Sequence, residues 1–252
     1  MFRYPIWKSL GWKEDLERNK ENGAQNRFAK NHYSRRNSYG IWEIPQADKV
    51  LQNQIPLFLM KLISWNVRGL NSPSKHRMLK NLIQQEKPTL VFLQETKSNS
   101  VVIERILNKV WFRSCSVSVD ASGASGGLAI LWNPQILNLQ DFHASHFLIQ
   151  ATFHLIGTNI HGHLSNVYFP QNIQQKLYLL DTLTTLNSKR QFPLWIGGGD
   201  FNIITASEEK TGGRSKLDSD NSGFKDFIQR NQLMDMQTSN GIYTWTNKRR
   251  GS

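Results

Sequence analysis

Leu194-Trp195-Ile196 runs without a break into Gly197-Gly198-Gly199 and then Asp200-Phe201-Asn202. The apolar run starts directly after Pro193, which suits a short buried strand. The glycines that follow permit a sharp turn or a close approach to a ligand. Just beyond them lie a carboxylate and an amide two positions apart, and in extended backbone residues i and i+2 share a face. Asp200 and Asn202 are therefore expected to face one reacting group while Phe201 turns back into the core. An anionic acceptor beside an amide donor suits the orientation of a nucleophile and of a charged oxygen. The alternative is a Gly-Asp-Phe-Asn turn whose aspartate caps neighbouring backbone.

The chain leading to this stretch alternates strand and helix signals. Leu62 to Val67 reads as a strand with Asn66 as the polar residue near its end. Arg68-Gly69-Leu70-Asn71 is a turn, and Ser72-Pro73 reads as the N-cap and first position of a helix with Met78, Leu79, Leu82 and Ile83 on one face. Lys87-Pro88 ends it, Leu90 to Leu93 is a second buried strand, and Glu95 lies just past its end. Strand, helix, strand indicates a mixed α/β fold.

A helix over Val101 to Val110, strands at Cys115 to Val119 and Leu128 to Trp132, and a glycine turn between those strands follow. No Lys-Ser/Thr pair follows the glycines, so a P-loop is excluded. Short strands are expected at Ile136 to Leu139, Phe147 to Phe153 and Leu164 to Phe169, the last carrying Tyr168. Five histidines fall here, but no carboxylate pattern accompanies them, and strand-face or loop positions account for them. Then come a helix with Ile173, Leu177, Leu180 and Leu183 on one face, a helix marked by Phe224, Phe227 and Ile228, and an alternating strand from Gly241 to Asn247.

Residues 1–59 differ from the rest. They are rich in Asn, Lys and Arg, and no helical or alternating period persists in them, so a basic, mostly disordered extension is expected, with a domain over 60–252. The net charge is +12, of which 1–59 contribute 10 basic and 6 acidic residues and the remainder 21 and 13. The basicity is thus spread along the chain, and a polyanionic partner, nucleic acid above all, is its natural complement. No apolar run reaches the roughly 18–20 residues of a membrane span. The single cysteine, Cys115, excludes an internal disulfide and a cysteine zinc site.

Asn66, Glu95, Tyr168, Asp200 with Asn202, and Asn247 all lie at or near the ends of expected strands, where sites collect. Carboxylates and amides with one phenol suit a hard cation held by oxygen. On a basic surface this composition suggests metal-assisted phosphodiester hydrolysis.

Six segments resemble the endonuclease/exonuclease/phosphatase superfamily, with its DNase I-like fold. They are Ile63 to Leu70, Phe92 to Lys97, Gly126-Gly127-Leu128, Asn166 to Pro170, Gly198 to Asn202 and Tyr243 to Asn247, and they stand in the family's order. Within the family they are most similar to the endonuclease domain of plant LINE-type non-LTR retrotransposons. The resemblance implies a four-layer α/β sandwich of two mostly antiparallel sheets flanked by helices. It implies Glu95 as a Mg2+ (or Mn2+) ligand, Asn66 holding metal or phosphate, and Asp200 aligning or deprotonating the attacking water. Asn202 would donate to a phosphate oxygen and Tyr168 would contact the phosphate, with Trp245 and Asn247 on the substrate side.

The family continues past the Thr-Trp-Thr-Asn motif with an Asp and closes with Ser-Asp-His. Neither occurs here, and none of the seven histidines stands in such a context. The expectation is a C-terminally truncated endonuclease domain, lacking its last strands and weakened or inactive in nicking DNA. The alternatives are a non-catalytic nucleic-acid-binding remnant and a phosphatase of the same superfamily. The expected partner is DNA, with no membrane, no obligate protein partner and a monomeric state; the family implies the nucleus.

Overall fold

In a computed structural model the described residues, 6–9, 39–45, 58–123, 125–203 and 221–236, form two sheets and four helices. In chain order the elements are β1 (Ile6–Ser9), β2 (Tyr39–Pro45), β3 (Phe58–Asn66), α1 (Pro73–Glu86), β4 (Leu90–Gln94), α2 (Ser100–Val110), β5 (Cys115–Val119) and β6 (Leu128–Trp132). They continue with β7 (Leu137–Ser145), β8 (Leu148–Leu155), β9 (His161–Tyr168), α3 (Ile173–Ser188), β10 (Leu194–Asp200), α4 (Asn221–Arg230) and β11 (Met234–Met236).

One sheet has the order β2-β3-β4-β6-β5 and the other β11-β1-β10-β9-β8-β7. Among the described strands only β3–β4 and β9–β10 pair in parallel, as their helical crossovers α1 and α3 require. The two sheets face one another across an apolar layer. Trp42, Met60, Leu62, Phe92 and Ile130 enter it from one sheet and Leu137, Ile149, Phe153, Leu164 and Ile196 from the other. The outer face of the first sheet is covered by α1 and α2 through Leu79, Leu82, Ile103, Ile106 and Leu107. The outer face of the second is covered by α3 and α4 through Leu179, Leu183, Phe224 and Phe227. Helices, sheet, sheet, helices make the expected four-layer sandwich, with the inner strands β4 and β6 of one sheet and β10 of the other buried on both faces. No helix among the described residues is long and apolar enough to cross a membrane.

Helix α1 starts as the sequence requires. Ser72 is the N-cap, its side chain accepting from Lys75 N, and Pro73 is the first helical residue. The helix stops at Lys87, which adopts the left-handed conformation and returns its N–H to Ile83 O. Met78, expected on the buried face, is 41% exposed. In α3 the buried face is Lys176, Leu179, Leu180 and Leu183, while Ile173 and Leu177 point outward. A lysine on the inner face rotates the helix away from the stripe that hydrophobicity alone suggests.

Two further expectations change. The triple glycine does not form a turn, because β10 continues through it to Asp200. The close approach it permits is to backbone: a Cβ on Gly199, at φ +146°, would lie 1.9 Å from Val167 O of β9. The extension over 1–59 is not without regular structure in its described parts. β2 pairs antiparallel with β3 over Tyr39↔Trp65 to Glu43↔Lys61, the last pair reinforced by a 3.3 Å ion pair. Trp42 and Ile44 lie fully in the layer between the sheets while Ile41 packs on the helical side, so this short segment is buried on both faces. β1 lies between β10 and β11. A boundary at residue 60 would cut β3 itself. Finally, the strand expected from Gly241 to Asn247 lies outside the described residues.

Candidate active site

The C-terminal ends of β3 and β4 in one sheet meet those of β9 and β10 in the other. Parallel pairing sets Tyr168 opposite Asp200 and Asn66 opposite Gln94, the residue before Glu95. Asn66, Glu95, Tyr168 and Asp200, expected from four separate segments, are thereby brought together.

Asn66 is the joint between the two halves. Its Nδ2 donates to Glu95 Oε1 at 2.7 Å and to Asp200 Oδ2 at 2.5 Å, while its Oδ1 accepts from Arg68 N at 3.2 Å. Asn66 is 3% exposed and Asp200 2%, so the amide satisfies carboxylate oxygens that water reaches poorly. Burial pushes the Asp200 carboxyl up to about 6; hydrogen bonds from Asn66 and the Asn202 N–H oppose the shift, and the Glu95 charge adds to it. The Tyr168 phenol is pushed up to about 12, first by burial and then by the Glu95 and Asp200 carboxylates, and it shares a hydrogen bond with Glu95. Arg68 partly offsets both shifts, so its charge acts on this cluster.

The loops that carry these groups hold unusual backbone. Arg68, Glu95, Lys97 and Asn202 all have φ near +50°. Non-glycine residues pay for that conformation and keep it where surroundings enforce it. Here Gly69 N donates to Glu95 O at 2.7 Å and Leu70 N to Thr96 O at 2.8 Å. From the other side Thr96 N and Lys97 N donate to Gly127 O and Gly126 O, both at 3.1 Å. A Cβ at Gly127 would come within 2.3 Å of Thr96 Oγ1, which explains the Gly-Gly motif as a backing for the loop of Glu95.

Asn202 departs from expectation. Its φ of +46° breaks the extended alternation after Asp200, so the two side chains do not project in parallel. Its N–H donates to Asp200 Oδ1 at 3.1 Å and its Nδ2 to Phe169 O at 2.8 Å. Its carbonyl accepts from Lys176 Nζ at 3.0 Å. In this arrangement Asn202 ties the ends of β9 and β10 together. Phe201 turns into the core as expected, against Phe169 and Phe224 with ring centroids 5.2 and 5.3 Å away. Trp245 and Asn247 lie outside the described residues.

Sequence reasoning missed Arg68, read only as part of a turn, and Lys176, which it did not single out on the helix carrying Ile173, Leu177, Leu180 and Leu183. Arg68 was accessible through its place two residues after Asn66. Lys176 carries no local signal, since its partner is 26 residues away.

The cluster holds two carboxylates and a phenol, while the Asn66 amide turns its Nδ2 to both carboxylates and its Oδ1 to Arg68 N. Mg2+ typically takes one or two carboxylates and keeps several waters, so Glu95 and Asp200 held by one amide fit it. Among the described residues no group of three or more His, Cys, Asp or Glu forms a richer cage.

Residues 63–252 match the model of the Endonuclease/Exonuclease/phosphatase family. Among solved structures, an AP endonuclease from Archaeoglobus fulgidus aligns with a TM-score of 0.54 at 18% identity, over 67% of this chain and 70% of that one. The AP endonuclease LMAP from Leishmania major aligns at 0.51 and 15% identity, over 68% and 66%. The 3' phosphatase NExo from Neisseria, solved with a product DNA hairpin, aligns at 0.50 and 18% identity, over 68% and 70%. This chain thus spans about two thirds of the length of each. At these identities the likeness is one of fold.

Proposed function

Since the chain belongs to the endonuclease/exonuclease/phosphatase family, we propose that it is a metal-dependent phosphodiesterase acting on DNA, of the kind found as the endonuclease domain of LINE-type retrotransposons. The observation that carries this is Asn66, which holds Glu95 and Asp200 from opposite sheets around a single amide. Such an arrangement gathers negative charge where a cation would sit and leaves one carboxyl with a raised proton affinity.

When bound, a divalent cation held by Glu95, with Asn66 and Asp200 beside it, would polarise the phosphate and stabilise charge on the leaving oxygen. The chain's own residues supply the rest. Asp200, with a pKa near 6, is mostly ionised at neutral pH yet basic enough to accept the proton of the attacking water. The water oxygen forms the new bond to phosphorus, and the bond from phosphorus to the sugar oxygen breaks. Tyr168 stays protonated throughout the physiological range and donates to a phosphate oxygen. Arg68 adds positive charge beside both groups. Asn202 sets the Asp200 loop, and Trp245 and Asn247 are proposed on the substrate side by their place in the family's motif. The net charge of +12 favours DNA over a neutral substrate.

The test is nicking of supercoiled plasmid with Mg2+ by the chain and by Glu95→Ala and Asp200→Ala. Nicking that EDTA abolishes and both variants lose by about a hundredfold or more is expected. Nicking that persists in both variants would place the chemistry elsewhere. No nicking by folded protein would overturn turnover. A second reading, DNA binding without hydrolysis, which the spread of basic charge favours, would then be measured as salt-dependent retention of the same plasmid. Hydrolysis of inositol phosphates or phospholipids in preference to plasmid would point to the phosphatase branch.

A further inference from the structure

The layer between the sheets is apolar over most of its named contacts, yet two amides lie inside it. Gln94 of β4 is 1% exposed and Asn166 of β9 is 0% exposed. Asn166 Oδ1 accepts from Gln94 Nε2 at 2.7 Å, and Asn166 Nδ2 donates to Leu93 O at 3.1 Å and Ala129 O at 2.9 Å. All three partners belong to the opposite sheet, on β4 and β6. Gln94 Nε2 also donates to Ser64 Oγ of β3 at 3.2 Å. One side chain of the second sheet is thus fastened to two strands of the first, and through Gln94 to a third.

The position of this fastening is specific. Gln94 directly precedes Glu95, while Ser64 and Asn166 stand two residues before Asn66 and Tyr168 on the same faces of their strands. Two residues of strand rise about 7 Å, so Asn166 and Ser64 sit one layer beneath the site, while Gln94 stands level with Asn66 in the β3–β4 register. Apolar side chains resist separation of two sheets but define their sliding only weakly, since the hydrophobic effect is non-directional. Hydrogen bonds between buried amides are directional and costly to leave unmade.

We infer that Gln94 and Asn166 are positioning residues whose cross-sheet hydrogen bonds fix the separation of the two half-sites, and so hold Asn66 within reach of both Glu95 and Asp200. The kinetic consequence rests on the proposed phosphodiesterase activity; the structural consequence does not.

The experiment reads both. Gln94→Met/Asn166→Leu removes the pair together and leaves neither amide unpaired. Its kcat for plasmid nicking is expected to fall roughly ten- to hundredfold with KM within about twofold, as for misplaced reacting groups. In parallel, hydrogen exchange of the Asn66 side-chain amide is followed by 15N–1H NMR, with the resonances assigned by their loss in Asn66→Asp. These protons are expected to be protected in the wild-type protein and exchanging in the double variant. A folded double variant with unchanged kcat and unchanged Asn66 protection overturns the inference. If the wild-type protein does not nick, the activity reading fails and Asn66 protection alone decides the positioning role. If the double variant does not fold, Ser64→Ala, which removes one acceptor of Gln94 and almost no volume, decides in its place. A several-fold loss of kcat or of Asn66 protection supports the inference, and wild-type behaviour in both overturns it.

Discussion

Trp42 donates its indole N–H to the carbonyl of Met236 at 3.0 Å, joining β2 at the edge of one sheet to β11 at the edge of the other. The indole is fully buried between the sheets, so one residue of the N-terminal segment both fills the core and links its two walls. Trp42→Ala is expected to destabilise the protein by about 3–5 kcal/mol and Trp42→Phe by roughly 1–2 kcal/mol, most of the latter from the orphaned carbonyl and lost volume. Deleting residues 1–57 should expose the edge of β3 and produce aggregation. Chemical denaturation and light scattering measure these effects; a truncated chain as stable and soluble as the full one would refute them.

Gly199→Ala tests the close approach of β10 to β9. The added methyl meets the Val167 carbonyl at a φ unfavourable for any L side chain, and since β9 and β10 carry Tyr168 and Asp200, the site moves with the strands. A loss of at least 2–3 kcal/mol, roughly, is expected, or an insoluble protein. Wild-type thermal stability in this variant would show that the strands do not pass as closely as described.

Asp200 links stability to pH. Its folded pKa of about 6 lies above its ordinary value of 3.8. The protonated form is therefore favoured by folding: this contribution is whole below about pH 4 and is lost as pH rises through 6, when an ionised carboxylate must be kept buried. Asp200→Asn is expected to abolish turnover yet raise stability at pH 8 by about 1–3 kcal/mol, with little change at pH 4. Melting curves at the two pH values check the sign; a variant less stable than wild type at pH 8 would contradict it.

Divalent metal should act in the opposite sense. A cation favours the ionised carboxylates, so Mg2+ is expected to raise the melting temperature more at pH 8 than at pH 5, and less in Glu95→Ala. Equal shifts at both pH values, or in both proteins, would argue against Glu95 as a ligand.

Lys176 is buried at 5% exposure and donates to the Asn202 carbonyl. Lys176→Met keeps the length of the stem and removes the donor. A loss of about 1–2 kcal/mol and a several-fold fall in kcat are expected as the Asp200 loop loosens. Unchanged kinetics would confine Lys176 to packing.

Much of this was written locally. Ser72-Pro73 fixed the start of α1, short apolar runs marked the inner strands, and the polar residues just past them proved to converge in four of the cases described. What was not legible depends on distant partners. Glycines have no strand preference, so nothing in Gly197 to Gly199 announced that β10 continues; the reason is the neighbouring Val167 carbonyl. Tyr39 to Pro45 is too short and too embedded in polar sequence to show a period, and its strand exists because β3 offers an open edge. The face of α3 was misread because burying Lys176 is favourable only with the Asn202 carbonyl present. Gln94 and Asn166 looked like ordinary motif polar residues until their strands were placed opposite one another.

Tyr168 and Asp200 close neighbouring parallel strands whose connection travels out through α3 and back. Lengthening that excursion at its far end, near Ser188 to Gln191, leaves the two strand tips where the ladder puts them. An insertion there would alter the outer layer alone and leave the spacing of Tyr168 and Asp200 as the ladder sets it.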